Sequence, residues 1–318
     1  MRFISETTSR RLVDQAMTME TTRQALIAAA DGSSELFRVV HGHAADAGNR
    51  FSIKSGSTKN HTGLKIGSYW HANGQLGLPC HSSCILVFDE RIGRLDAVIE
   101  ASRANVYRTA AADAWAVELL SRPDSTRLAA FGAGAQAHFE CLAVMKMRPI
   151  SHVAVVNRDA GRAAELVDKL REEGVAAEVK SADEACAQAD IIITATSARS
   201  PLFEAGAVKP GTHVSLMGAD AVGKQEAPVE LLRRAELFCD YDIQSYAIGE
   251  FQHVADDVRG HAIPAAVNLG DVLAGRHPGR TRDDAITVFD SSGLVLQDLF
   301  LAAALLEKAG AEGEVSVL

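Results

Sequence analysis

The sequence predicts an α/β protein of two domains, a doubly wound parallel sheet preceded by a smaller α+β domain. Three observations carry this. At 318 residues the chain exceeds the usual size of one hydrophobic core. Beyond Pro123 short apolar strands alternate with helical segments, the pattern of right-handed βαβ crossovers. Before it, β-rich runs follow one another directly, and the breaker Ser121-Arg122-Pro123-Asp124 separates the two regimes. The expected domains are residues 1–122 and 123–293, with the last helix, within 294–318, returning to complete the first. Two domains of this kind usually leave a cleft between them.

Residues 9–30 are rich in helix formers, with apolar positions at Leu12, Val13, Ala16, Ala25, Leu26 and Ala29, before Asp31-Gly32 stops the pattern. They predict an opening helix pair. From Phe37 to Ile99 come β-rich runs at 37–40, 51–55, 64–70, 84–89 and 97–99, divided by Gly, Asn, Pro and Asp turns, which predict one mostly antiparallel sheet. A long alanine-dense helix, 104–120, ends at the breaker. The strands that follow are predicted at 127–131, 153–157, 191–196, 213–218, 237–240 and 286–290, and a helix at 294–309 closes the chain.

Composition narrows the function classes. The net charge is −9 with acidic and basic residues interspersed, which offers nothing to phosphate backbones or anionic lipid. No apolar stretch approaches the ~20 residues needed to span a bilayer, and Met1–Arg11 lacks an apolar leader core. A cytoplasmic protein without nucleic-acid or membrane partners is expected. Five cysteines, Cys80, Cys84, Cys141, Cys186 and Cys239, are an odd and scattered set that reads as reduced thiols. Cys80 and Cys84 lack the second ligand pair of a zinc site, and no metal is expected.

The second half opens on the strand Leu128-Ala129-Ala130-Phe131, which runs into Gly132-Ala133-Gly134-Ala135-Gln136-Ala137 at the start of a helix. Strand, glycine turn and helix come in the order of a Rossmann dinucleotide site. Gly132 permits the tight turn, Gly134 lets backbone reach a pyrophosphate, and Ala137 stands where helix and strand pack closely. The helix N-terminus offers amides and a partial positive charge to the phosphates. At the end of the second strand, where NAD enzymes place an acid for the ribose hydroxyls, the chain has Asn157 followed by Arg158. A neutral Asn does not repel a 2′-phosphate and a guanidinium pairs with one, so NADP(H) is favoured over NAD(H). The alternative has Arg158 in solvent and Asp159 on the ribose.

The ordered set Arg108-Thr109-Ala110-Ala111, GAGAQA, Ala189-Asp190-Ile191-Ile192 with Thr194-Ala195-Thr196, Pro210-Gly211-Thr212-His213, Gly218-Ala219-Asp220 through Lys224-Gln225-Glu226, and Phe289-Asp290-Ser291-Ser292-Gly293 resembles the ornithine cyclodeaminase/mu-crystallin family. The resemblance covers nearly the whole chain beyond Phe37. It implies an N-terminal domain that binds a small amino or imino acid and forms homodimers by pairing sheets. It further implies that Arg38, Lys65 and Arg108 hold a substrate carboxylate, that Asp220 acts on the substrate nitrogen, and that Lys65 shares in catalysis. Cofactor contacts are implied for Thr109, Gly132, Gly134, Ala135, Gln136, Asn157, Arg158, Thr194, Ala195, Thr196, Ser291 and Gly293.

Physical chemistry agrees with the cation set, because a small carboxylate in a dry cleft needs fixed positive charge. On the bland reading Arg38 and Lys54 are solvated strand charges, Lys65 is an exposed strand residue, and Asp220 caps a turn. His71, His81 and His213 could transfer protons, but His213 opens a buried strand and reads as structural. His71 stands where the family carries a proline, which bears on substrate identity. The resemblance leaves four activities: reduction of a cyclic ketimine such as Δ1-pyrroline-2-carboxylate to proline, ornithine cyclodeamination with recycled NAD+, alanine dehydrogenation, and ligand binding without turnover. Asn157-Arg158 favours the first, since free NADPH usually drives reduction.

Overall fold

The computed structural model describes residues 1–317. The chain divides into two compact units, one of residues 1–108 with the C-terminal stretch from Leu294, the other Thr109–Gly293. The division falls inside the long helix rather than at the Pro123 breaker. A breaker marks where a helix must stop, not which body its sides pack in: Val117, within that helix, belongs to the core of the second unit.

The first unit opens with β1 (Arg2–Ile4), α1 (Glu6–Leu12) and α2 (Gln15–Ala30). Ser5 and Asp14 start the two helices by accepting the amides of Thr8 and Met17. Then come β2 (Ser34–Leu36), β3 (Val40–His43), β4 (Arg50–Thr58), β5 (Thr62–Tyr69), β6 (His81–Phe88), β7 (Leu95–Glu100) and α3 (Ser102–Leu120). Strands β2 to β7 form the expected antiparallel sheet, extended by β1 parallel to β7. The run predicted at 37–40 is not one strand. Leu36 pairs with Gly56 and Val40 with Ile53, so residues 37–39 bulge out opposite Lys54 and Ser55.

The second unit is a sheet of eight parallel strands among the described residues. Its elements are β8 (Arg127–Phe131), α4 (Ala135–Met147), β9 (His152–Val156), α5 (Ala160–Glu172), β10 (Ala176–Val179), α6 (Ala182–Gln188), β11 (Ile191–Thr194), β12 (His213–Leu216), α7 (Val229–Leu232), β13 (Glu236–Cys239), α8 (Asp242–Ile248), α9 (Ala255–Arg259), β14 (Val267–Asn268), α10 (Leu269–Leu273) and β15 (Thr287–Asp290). The order is β10-β9-β8-β11-β12-β15-β13-β14, and the direction of winding reverses between β8 and β11. Alternate residues of β8 serve opposite faces: Leu128 and Ala130 pack with α4 and α5, Ala129 and Phe131 with the other layer. Helix α5 follows its capping Asp159 and buries Ala163, Leu166, Val167 and Leu170 in a helical stripe.

The chain ends in α11 (Val295–Ala311) and β16 (Ser316–Val317). Helix α11 packs on α2 and on β4 and β5, within the first unit. Gly56 and Gly63 face each other across β4 and β5, and a methyl group on either would press within 3 Å of Val295 or Leu299. No helix among the described residues is long and apolar enough to cross a membrane.

Candidate active site

In the second unit the loops that leave β8, β9, β11, β12 and β15 all lie at the carboxyl ends of parallel strands, where open α/β sheets bind ligands. Gly132, directly after β8, has φ +109°, and a Cβ there would meet the Ala195 carbonyl oxygen at 2.7 Å. Only glycine fits. Gly134 precedes α4 with no capping side chain, and a Cβ there would have no neighbour within 4 Å. That open space above a helix N-terminus suits the phosphates of a dinucleotide. After β9, Asn157 donates to the Asp159 carbonyl at 3.0 Å, and Arg158 is exposed. The Asp159 carboxylate accepts the Arg162 amide at 3.1 Å, so its capping role competes with a ribose contact.

The loops after β11 and β12 are tied together by a residue without a predicted role. Glu226, wholly buried, accepts the Thr196 amide at 2.8 Å and hydroxyl at 2.6 Å on Oε1, and the Thr194 hydroxyl at 2.6 Å and Gly218 amide at 2.8 Å on Oε2. The Thr194 hydroxyl thus points into the protein, while Ala195 donates its amide to Phe131. Asp240, after β13, does the same for the last loop, accepting the Gly293 amide at 2.6 Å and the Ser291 hydroxyl at 3.2 Å. Gly293 is required for its φ of +78°. Thr109 and Ala135 begin this unit and α4, and Gln136 donates to Glu140 at 2.5 Å.

Asp220 stands four residues past β12, half exposed, with the Lys224 ammonium 2.5 Å from Oδ1. Lys224 also donates to the Gly218 carbonyl at 3.0 Å, so one lysine braces both ends of the Gly218–Asp220 turn. His213 is buried and hydrogen-bonded to Thr287 and Ser215; burial, then Arg280 and Arg148, pull its pKa down to about 3. A ring neutral at every working pH is structural.

In the first unit Lys65 and Arg108 are 6% and 4% exposed, so neither is a solvated charge. The Asn105 Oδ1 accepts from both, from Arg108 at 2.6 Å and from Lys65. Asp298 Oδ1 lies 3.1 Å from Arg108 Nε and 3.7 Å from Lys65 Nζ. Arg108 also donates to Gln297 at 3.4 Å, which leaves two of its five N–H groups for a ligand. Lys54 is 8% exposed and stands directly opposite Lys65 across β4 and β5, which corrects its reading as a solvated charge. Arg38 is exposed, in the bulge, and makes no ion pair with a described residue. Among the described residues no group of three or more His, Cys, Asp or Glu is placed to hold a metal ion.

The chain matches the ornithine cyclodeaminase/mu-crystallin family profile over residues 1–313. It belongs to that family. It is 37% identical over 253 residues to the iminosuccinate reductase of Paracoccus denitrificans, covering 79% of this chain and 78% of the relative. It is 34% identical over 248 residues to a Δ1-pyrroline-2-carboxylate reductase of the same organism, covering 76% and 77%. Among solved structures, an archaeal alanine dehydrogenase dimer with bound NAD superposes at a TM-score of 0.91, with 28% identity over 99% of this chain and 98% of the other. The cyclodeaminase/mu-crystallin relatives are NAD(P)-dependent reductases, dehydrogenases and cyclodeaminases, and this chain is an enzyme of that kind.

Within this family frame, sequence reasoning missed Asn105, Asp298, Glu226 and Asp240, which hold the predicted residues rather than stand among them. Each of two acids carried a faint signal, Glu226 as part of a recognised motif and Asp240 as the last residue of a predicted strand.

Proposed function

We propose that the chain is an NAD(P)H-dependent reductase of a small 2-imino acid, with cyclic ketimines such as Δ1-pyrroline-2-carboxylate in its class. The observation that carries this is the pair of buried cations, Lys65 and Arg108, braced on Asn105 and Asp298. Fixed cations, with two N–H groups of Arg108 still open, suit a substrate carboxylate and cost little reorganisation on binding.

Gly132, Gly134 and the start of α4 hold the pyrophosphate, with Ala135 and Gln136 beside it, and Ala195, Thr196, Ser291 and Gly293 meet the nicotinamide half. Thr194 supports that wall through Glu226. A bound nicotinamide dinucleotide supplies the hydride that Cα accepts. Lys65 and Arg108 orient the carboxylate, and Lys65 donates a hydrogen bond as charge develops. Asp220, kept in place by Lys224, takes up or returns the proton of the substrate nitrogen. Asn157 and Arg158 favour NADP(H), a reading supported by the capping duty of Asp159. A homodimer is part of the proposal, supported by Val40 and Ile66, exposed on either side of Ile53 in one cross-strand row.

The test is the loss of absorbance at 340 nm from NADPH and NADH with pyrroline, piperideine and keto-acid/amine mixtures, alongside ammonia release from ornithine without added reductant. Consumption of NADPH with an imine supports the proposal. Ammonia and proline from ornithine without net cofactor change would make the chain a cyclodeaminase instead.

A further inference from the structure

Glu226 joins two loops of the second unit that the proposed chemistry needs in register. Its side chain takes four donors, the Thr196 amide and hydroxyl on Oε1 and the Thr194 hydroxyl and Gly218 amide on Oε2. The loops also touch directly: a Cβ on Gly218 would stand 2.3 Å from the Thr196 carbonyl oxygen and 2.5 Å from the Glu226 carboxyl. One side of this junction leads to Ala195 and Thr196, the other through Gly218 to Asp220.

Glu226 is itself mounted on the core. Its amide donates to both oxygens of the Glu250 carboxyl at 3.0 Å, the Ala227 amide donates to one of them at 2.8 Å, and the Glu226 carbonyl accepts the Leu202 amide at 2.8 Å. Two residues earlier Lys224 donates to the Gly218 carbonyl at 3.0 Å, so the N–H and the C=O of Gly218 are both held from the segment 224–226. Gln225 ties the same segment to the first loop, donating its amide to the Ala198 carbonyl at 3.1 Å. A wholly buried carboxyl with four partners has little freedom, and its removal strands backbone donors.

We propose that Glu226 is a positioning residue for the chemical step, fixing the nicotinamide wall at Ala195 and Thr196 against the turn that carries Asp220. Hydride transfer to Cα and proton transfer at the adjacent nitrogen demand one geometry, and a misplacement of about 1 Å costs up to roughly 100-fold in rate. A carboxyl group suits this post because each oxygen faces one backbone amide and one hydroxyl. A carboxamide does not. Whichever way a glutamine is turned, its NH2 group faces the amide of Thr196 or that of Gly218, and a hydroxyl can rotate to accept where an amide cannot. Glu226→Gln therefore releases one loop and keeps the other. The inference rests on the imine-reductase reading for the roles of Asp220 and the wall, and on these hydrogen bonds alone for their coupling.

The experiment measures the single-turnover rate of NADPH oxidation by an imine, which reads the chemical step apart from binding and product release. Glu226→Gln is expected to lower that rate by about 10- to 100-fold, while the Kd for NADPH, from fluorescence titration, stays within about threefold. Thr194→Val, which removes one donor from Oε2, should lower the same rate by less, and Thr194→Ser should restore it. An unchanged single-turnover rate in folded Glu226→Gln, or a loss that saturating NADPH fully recovers, would overturn the proposal. Should Glu226→Gln fail to fold, equal rates in Thr194→Val and Thr194→Ser would overturn it instead. The emission of bound NADPH, which senses the wall around the nicotinamide, separates this proposal from the reading beneath it. A wild type that reduces no imine would sink the reductase reading. Altered emission in Glu226→Gln at saturating NADPH would then still support the coupling, and unaltered emission would sink that as well.

Discussion

The Lys224 ammonium sits 2.5 Å from Asp220 Oδ1 while also holding the carbonyl of Gly218, so the position of the proposed proton-handling carboxylate is set by a residue four places along the chain. Asp220→Ala is expected to lower kcat by about 100-fold or more, as loss of a positioned proton-transfer group does. NADPH affinity, read by fluorescence titration, should stay within a few fold. An unchanged rate would remove Asp220 from the mechanism. Lys224→Met tests the brace: it should lower kcat less than Asp220→Ala, and the double variant should add little to the single aspartate loss.

Gly132 and Ala195 make the second relationship that function depends on. A methyl group on Gly132 needs φ of +109° and a 2.7 Å approach to a backbone oxygen, neither of which yields to a side-chain rotation. Gly132→Ala should therefore cost about 1–3 kcal/mol of stability by thermal or urea unfolding, from strain alone. Because the turn shifts, dinucleotide affinity should fall by at least about tenfold. Gly134→Ala separates the two effects: with φ of −89° and open space for a Cβ, it should fold normally and lose affinity only.

How much of this was legible in the sequence depends on whether the deciding partners are near in the chain. The strand Arg127–Phe131 and its glycine turn were readable to the residue, because periodicity and a left-handed glycine are local signals. Strand ends elsewhere shift by one to three residues, as at 84–89, where β6 is His81–Phe88. The bulge at 37–39 was hidden because β-rich composition does not reveal pairing. Lys54 reads as a surface charge until register sets it against Lys65, and Glu226 reads as one more helix-side acid until β11 and β12 bring Thr194, Thr196 and Gly218 to it. The domain division inside α3 was illegible for a similar reason, since an alanine-dense helix packs equally well in either body.

Cofactor preference turns on Asn157 and Arg158. Arg158→Ala should raise the Kd for NADPH by about tenfold or more while NADH changes little, because a guanidinium contributes charge-assisted hydrogen bonds only where a 2′-phosphate is present. Asn157→Asp should act in the same sense by placing a like charge beside that phosphate. Equal effects on both cofactors would assign Arg158 to the α5 end of the fold instead.

Beneath the last loop the buried Asp290 carboxyl is pushed up to about 8, first by burial and then by the charge of Asp240. Its Oδ2 accepts from Ser245 and from the Phe251 amide, while Oδ1 is buried without a hydrogen-bond partner among the described residues. The ordinary value is 3.8, so the folded chain keeps a proton that the unfolded chain releases. The resulting stabilisation is complete below about pH 4 and is lost as pH rises through about 8. Glu250, also raised to about 8 by burial, acts in the same direction. Melting temperature should therefore fall between pH 5.5 and 8.5. Asp290→Asn places an amide where the protonated acid was and removes one titration, so its melting temperature should fall less steeply over the same range, with the difference largest at the alkaline end. A slope identical to that of the wild type would show that Asp290 is not the group whose proton the fold retains.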